Sequence, residues 1–338
     1  MIRQVCVDGL RVALLIMVPV ICCGPSPARA DEAAEIVKQY PDLLEGITSF
    51  GAAVAGDWLY TYGGHKGEPH QYSIENQSNQ LRRLNLKEPG QWETVATGPR
   101  LQGLAMVAHG GKLYRVGGFT AYNKKGEDQD LRSVADVARF DPETRKWQEL
   151  PSMPLARSSF DAVVMGDALY LAGGWAMGPA GKKWHDTSFA CDLSQAKLRW
   201  VELPKQPFQR RANSLGEFDG KLYVIGGIGP DGQPSTAVDV FDPQAHKWSK
   251  GPNLIGNGMG GFGCSAFEVG GTLYVSTFGG LLQRLTGDGK EWGIARKLNE
   301  KRFFHRMLPL NNHQLIMVGG TSPQAGKNVK LRVIELRQ

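Results

Sequence analysis

The sequence predicts an all-β fold, closed or sandwiched, built from six repeated units of four short strands. Three observations carry this expectation. A diglycine recurs at Gly63-Gly64, Gly117-Gly118, Gly173-Gly174, Gly226-Gly227, Gly279-Gly280 and Gly319-Gly320. Leu-Tyr precedes five of these pairs, and Leu315-Ile316 precedes the sixth. A tryptophan follows five of them, at Trp92, Trp147, Trp200, Trp248 and Trp292. Self-similarity at a near-constant period is the mark of a repeat architecture. The chain has 43 glycines in 338 residues and no collagen period, so the glycines point to tight turns and close backbone approaches.

The third unit illustrates the elements in order. Ser158 to Met165 is a first strand, and Gly166-Asp167 is a two-residue hairpin turn. Ala168 to Ala172 is the second strand, ending at the diglycine. Phe189 to Leu193 is the third and Leu198 to Leu203 the fourth. Short strands with regular turn signals and few helical periods read as all-β. In the last unit the strands lie near Phe303 to Leu310, Gln314 to Val318 and Val329 to Leu336. No fourth strand follows them, so Ala34 to Pro41 is expected to supply it.

Residues 1–30 read as an export signal rather than fold. Arg3 and Arg11 flank a basic start, the apolar run Val12 to Ile21 is too short to span a bilayer, and Ala28-Arg29-Ala30 is a small-x-small cleavage pattern. A lipid anchor on Cys22 or Cys23 is the alternative, disfavoured by the residues before each. Residues 31–338 are then one domain, expected to be a soluble monomer in the periplasm or outside the cell, with no membrane span. Cys191 and Cys264 remain after cleavage and fall in different repeats, so no disulfide framework is expected. A net charge of +6 with no clustered reading motif gives no ground for a nucleic-acid partner.

The repeat resembles the kelch motif. The resemblance rests on an arginine before the first strand, Leu-Tyr, Gly-Gly, then Phe140-Asp141-Pro142 or Phe241-Asp242-Pro243, and a tryptophan. It covers about residues 45 to 338 and implies a six-bladed, four-strands-per-blade β-propeller. The first strands of such a fold line a central channel, and its closure leaves only short strand edges. The chain is also similar, more distantly, to the exported kelch proteins that include sialic-acid mutarotases. That family replaces the second glycine of one diglycine with glutamate and places an arginine soon after. Here the six diglycines read as intact and the loop Ile228 to Thr236 lacks arginine, so that catalytic pair does not carry over.

Binding chemistry is expected where the loops enter the first strands. Arg100, Arg157, Arg210 or Arg211, and Arg302 precede first strands, while Ile47 and Gly261 break the pattern. Guanidinium groups there suit a carboxylate, sulfate or phosphate; the alternative role is to hold carbonyls of the preceding loop. The long loops after the diglycines carry His65, His70, Tyr122, Trp175, Trp184, His185 and Asp186. Aromatic and polar groups together suit a sugar or a peptide. His305 and Asp161 lie in first strands, where an acid or base would face the channel. His185 is a third such candidate. His65 and His70 have no third ligand nearby, and no phosphate-binding or dinucleotide motif occurs, so neither metal nor cofactor is expected. The expected function is non-enzymatic binding of an acidic glycan or a protein partner on the arginine face. The alternative is a cofactor-independent mutarotase or epimerase.

Overall fold

The computed structural model describes residues 40–336. The export signal expected at 1–30 lies outside them. Among the described residues, five four-stranded antiparallel sheets and one of three strands follow one another as six blades. The third blade comprises Asp161–Met165, Ala168–Ala172, Phe189–Asp192 and Val201–Glu202, shorter at the first, third and fourth strands than the sequence suggests. The first strands of the blades are Gly51–Ala55, Ala105–His109, Asp161–Met165, Ser214–Phe218, Ser265–Val269 and Arg306–Asn311. Each neighbours the next, and the last lies beside the first, so they close a ring.

The core is distributed between blades. Leu59, Ile316 and Val318 pack together between blades 1 and 6, and Ile225, Leu273 and Val275 between blades 4 and 5. Each remaining junction has its own apolar cluster. The five repeat tryptophans join five of these clusters, which is why the repeat needs a large apolar side chain there. Four of them also donate their indole N–H to a proline carbonyl: Trp92 to Pro41, Trp200 to Pro151, Trp248 to Pro204 and Trp292 to Pro252. At the fifth, Trp147, the corresponding carbonyl of Pro99 is taken by the Tyr62 hydroxyl at 2.7 Å.

The diglycines are blade couplers. The second glycine donates its N–H to a carbonyl of the next blade: Gly64 to Leu101, Gly118 to Arg157, Gly174 to Arg210, Gly227 to Gly261 and Gly320 to Ile47, all within 2.7–2.9 Å. Gly63 has φ 66°, and a Cβ there would sit 2.4 Å from the Leu101 oxygen, so no side chain is tolerated. Blade 5 departs from this scheme and corrects the sequence reading. Its second strand, Thr272–Ser276, runs straight into Thr277 and Phe278, which occupy the diglycine positions. Gly279-Gly280 falls two residues later, in a tight turn closed by Gly280 N–H to the Thr277 carbonyl at 2.9 Å. Five diglycines, not six, therefore serve the same role.

Closure by Ala34 to Pro41 was expected. Residues 34–39 of that segment lie outside the described residues. The described part begins with Tyr40, whose hydroxyl donates to the Leu86 carbonyl, and Leu43 donates its N–H to the Val329 carbonyl at 2.8 Å. Leu254 N–H to Thr236 O and Met153 N–H to Ala135 O repeat that bond in blades 4 and 2. In each case the donor lies two residues past a linker proline whose carbonyl accepts from a repeat tryptophan, so Pro41 to Leu43 stands to blade 6 as a blade's exit linker does.

Candidate functional site

The second-to-third strand connections and the entries to the first strands lie on the same face. At each entry one residue adopts a left-handed backbone: Ser49, Gly103, Ser159, Ala212, Gly263 and Phe304, with φ of 53–61°. Their amides link successive blades, from Gly103 N–H to the Ser49 carbonyl through to Phe304 N–H to the Gly263 carbonyl. The result is a backbone collar around the channel mouth. Phe304 is its one bulky member. A non-glycine residue held there costs on the order of 1–3 kcal/mol, which small or polar residues mitigate and phenylalanine does not.

Below the collar the channel is crossed by an ion pair. Arg306 of blade 6 donates from Nη1 to Asp161 Oδ1 of blade 3 at 2.8 Å. Asp161 Oδ2 accepts from Leu215 N–H and the Ser214 hydroxyl, at 3.1 and 3.2 Å. Beyond it lies a cavity of about 190 Å³ lined by first-strand residues, with Glu217 and Glu268 among its walls. Asp161 is thus engaged in structure on both oxygens.

The arginines separate into two kinds. Arg157 is fully buried and gives its guanidinium to the Gly173 carbonyl and to Thr187 Oγ1 at 2.9 Å. Burial pulls its pKa down to about 9. Arg210 is buried against Asp239 at 2.8 Å and the Gly226 carbonyl at 2.7 Å. Arg302 is buried against Glu300, the Gly319 carbonyl and the Lys330 carbonyl. Arg100 is half-buried and donates to the Gln77 carbonyl at 2.7 Å. The entry position that Arg157, Arg210 and Arg302 occupy belongs in blade 2 to Leu101, one residue past Arg100. The expected open rim of these four guanidinium groups is therefore not what the structure contains: each holds loop carbonyls or a neighbouring carboxylate.

Arg211 is the exception. It is half-buried, and its guanidinium carbon lies 4.2 Å from the Trp175 ring and 5.8 Å from the Trp184 ring. The two indoles face each other across the hairpin Trp175–Gly178 and Gly181–Trp184, with centroids 5.3 Å apart. Arg211 Nε is buried without a hydrogen-bond partner, and no carboxylate pairs with its guanidinium among the described residues. Burial lowers its pKa, and the nearby Tyr72 hydroxyl opposes that shift. Tyr72 comes from blade 1, on the far side of the ring, and touches Phe119 of blade 2 edge-on at 5.9 Å. A cation on an indole gains about 0.5–2 kcal/mol, but a partly desolvated guanidinium still lacks an anion.

Three of the four candidate histidines are engaged by protein groups, and the fourth, His70, is exposed. His65 is buried and hydrogen-bonds the Gln71 carbonyl at 3.0 Å. His185 bonds the Ala156 carbonyl at 2.9 Å, and burial brings its pKa down to about 4. His305 lies 2.5 Å from the Ser276 hydroxyl, and burial, helped by Arg302 and Arg306, brings its pKa down to about 3. Cys191 and Cys264 are free and buried, and burial lifts both thiols to about 12. Among the described residues no group of three or more His, Cys, Asp or Glu is placed to hold a metal ion, and no helix is long and apolar enough to cross a membrane.

One further cluster escaped the sequence reading. Phe262, Phe278, Phe303 and Phe304 are half-buried and touch one another, with centroids 5.0–6.2 Å apart. The signal was present in the two-residue shift of Gly279-Gly280 relative to Leu273-Tyr274 and in the Phe303-Phe304 pair.

The kelch motif matches residues 100–154 and 209–255. The chain is 28% identical over 214 residues to Kelch repeat and BTB domain-containing protein 12 of Danio rerio, covering 60% of this chain and 33% of that protein. The chain thus spans about a third of that relative's length. It is 28% identical over 273 residues to N-acetylneuraminate epimerase of Pasteurella multocida (strain Pm70), covering 66% of this chain and 67% of that protein. The solved structure titled "Structure of YjhT" superposes with a TM-score of 0.71 at 16% identity, covering 88% of this chain and 97% of that one, a likeness of fold.

Proposed function

We propose that this kelch-repeat β-propeller is a binding protein for an acidic sugar, held on the loop face at Arg211. The observation that carries the reading is a half-buried guanidinium, its Nε buried without a partner, with two indoles beside it and no carboxylate of its own. A sugar acid meets both demands. Its carboxylate pairs with the guanidinium in a charge-assisted hydrogen bond, and its C–H faces pack on Trp175 and Trp184. Tyr72 adds a hydroxyl from the opposite side of the ring. The similarity to N-acetylneuraminate epimerase supports a sialic acid as the sugar.

Epimerase activity is the second reading, favoured by that same similarity over two thirds of the relative. Mutarotation needs an acid and a base at the anomeric centre. Asp161, His185 and His305 are each buried and engaged by protein groups, which supports binding over turnover. Calorimetric titration with N-acetylneuraminate, and with neutral N-acetylglucosamine as control, tests the proposal. Saturable binding of the acid alone, lost in Arg211→Ala, is the expected result. Binding of both sugars alike, or survival in Arg211→Ala, overturns it. Anomeric equilibration faster than in buffer, followed by proton NMR, moves the assignment to the epimerase.

A further inference from the structure

Resting on that reading, we infer that the site takes its acidic sugar as a glycoside, with the aglycone lying over the phenylalanine cluster of blades 5 and 6. The loop face is walled unevenly. In blades 1, 2 and 3 the connections span residues 63–79, 117–136 and 173–188. They are tied together: Ile74 N–H donates to the Asn123 carbonyl at 3.0 Å, and Met177 N–H to the Ser133 hydroxyl at 2.9 Å. Blade 5 has only the turn 277–280. An extended ligand anchored at Arg211 therefore has its free path over blade 5.

That path is apolar. Arg211, Phe262 and Phe303 occupy the same backbone position in blades 4, 5 and 6, just before the collar residues. The collar bonds Gly263 N–H to Ala212 O, at 3.0 Å, and Phe304 N–H to Gly263 O, at 2.8 Å, set them side by side. Phe278 fills the diglycine position above them and contacts Phe303 at 5.0 Å. Met259, exposed, lies one turn before Phe262 and accepts its N–H on the backbone carbonyl at 3.2 Å. Phe304 keeps its ring in the cluster despite a left-handed backbone at φ 54°. Phenyl groups offer no hydrogen-bond partner to a free anomeric hydroxyl, but they pack well against an aryl or alkyl aglycone or the C–H face of a second sugar.

The test measures affinities of three probes for the full chain: free N-acetylneuraminate, its methyl α-glycoside and its p-nitrophenyl α-glycoside. The aryl glycoside is expected to bind about ten-fold tighter than the methyl glycoside. Phe303→Ala should bring the two within about two-fold while leaving the methyl glycoside unchanged. Phe278→Ala, in the short half-buried turn of blade 5, should do the same if Phe303→Ala fails to fold. Equal affinity of the two glycosides for the unaltered protein overturns the inference and leaves the Arg211 site standing. Binding of the free sugar but of neither glycoside also overturns it and points to a site that needs the anomeric hydroxyl. Binding of none of the three removes the acidic-sugar reading itself. Concentration-dependent dimerisation abolished by Phe303→Ala, with no preference between glycosides, assigns the cluster to a protein contact instead.

Discussion

Arg306 Nη1 lies 2.8 Å from Asp161 Oδ1, joining blade 6 to blade 3 across the channel. The same guanidinium donates to the Phe50 carbonyl of blade 1 at 3.2 Å and the Leu104 carbonyl entering blade 2 at 3.3 Å. Asp161 reaches blade 4 through Leu215 and Ser214. Five blades are thus tied through one ion pair. Breaking a buried pair by removing one partner costs about 3–5 kcal/mol. Asp161→Ala should therefore lose about 3 kcal/mol in urea denaturation. A loss below about 0.5 kcal/mol, the range of an ordinary surface change, would show the latch to be incidental.

Arg157 provides a test of structural against ligand-binding arginines. Its guanidinium is fully buried on the Gly173 carbonyl and Thr187. Arg157→Ala strands those acceptors and opens a cavity, at a cost of about 3 kcal/mol. Arg157→Lys should recover little, because an ammonium cannot span both acceptors as the planar fork does. Ligand affinity, read by calorimetry on the folded fraction, should stay within about two-fold in the lysine variant. A selective loss of acidic-sugar binding with unchanged melting would return this residue to the binding site.

Much of this architecture is legible in the sequence, because the repeat encodes backbone demands at fixed spacing. Gly63-Gly64 and its equivalents are required by close approach, and the tryptophans by inter-blade area, so both are visible as strings. The displaced diglycine of blade 5 is the same string in a different role; only its distance from Leu273-Tyr274 distinguishes it. Arginine positions are visible but their partners are not. Arg210 and Arg211 are adjacent, yet one is paired with Asp239 in the interior and the other lies on the indoles of the preceding blade. Asp161 and Arg306 meet only because the ring closes.

Acid should weaken the fold through its buried neutral histidines. Burial lowers His185 from 6.5 to about 4 and His305 from 6.5 to about 3. Below pH 6.5 the unfolded chain takes up protons that the folded chain refuses. Stability is therefore complete above pH 6.5 and falls with pH down to about 4 for His185 and about 3 for His305. Each histidine contributes at most about 1.4 kcal/mol per pH unit. Urea midpoints taken above and below pH 6.5 should show this slope, and His185→Gln should flatten it. Parallel curves for the variant and the unaltered protein would exclude His185 as a source.

Removal of the residues before Gly46 should destabilise the ring. It deletes the Pro41 carbonyl that accepts from Trp92, the buried Leu43 and the Leu43–Val329 bond. It also deletes the segment Ala34 to Pro41 expected to close the last blade, which has three strands among the described residues and whose open edge would invite association. A lowered melting temperature and a shift from monomer toward aggregate in light scattering are expected, relative to the form starting at Asp31. Unchanged melting and unchanged mass would contradict the proposed closure.

The charge on the ligand tests the central claim most directly. Calorimetry should compare N-acetylneuraminate with its C1 carboxamide, which keeps the shape and removes the charge. If Arg211 is the anion site, the carboxamide loses the charge-assisted bond, worth about 1.5–3 kcal/mol, and binds at least about ten-fold more weakly. Equal affinity for acid and amide would contradict the account.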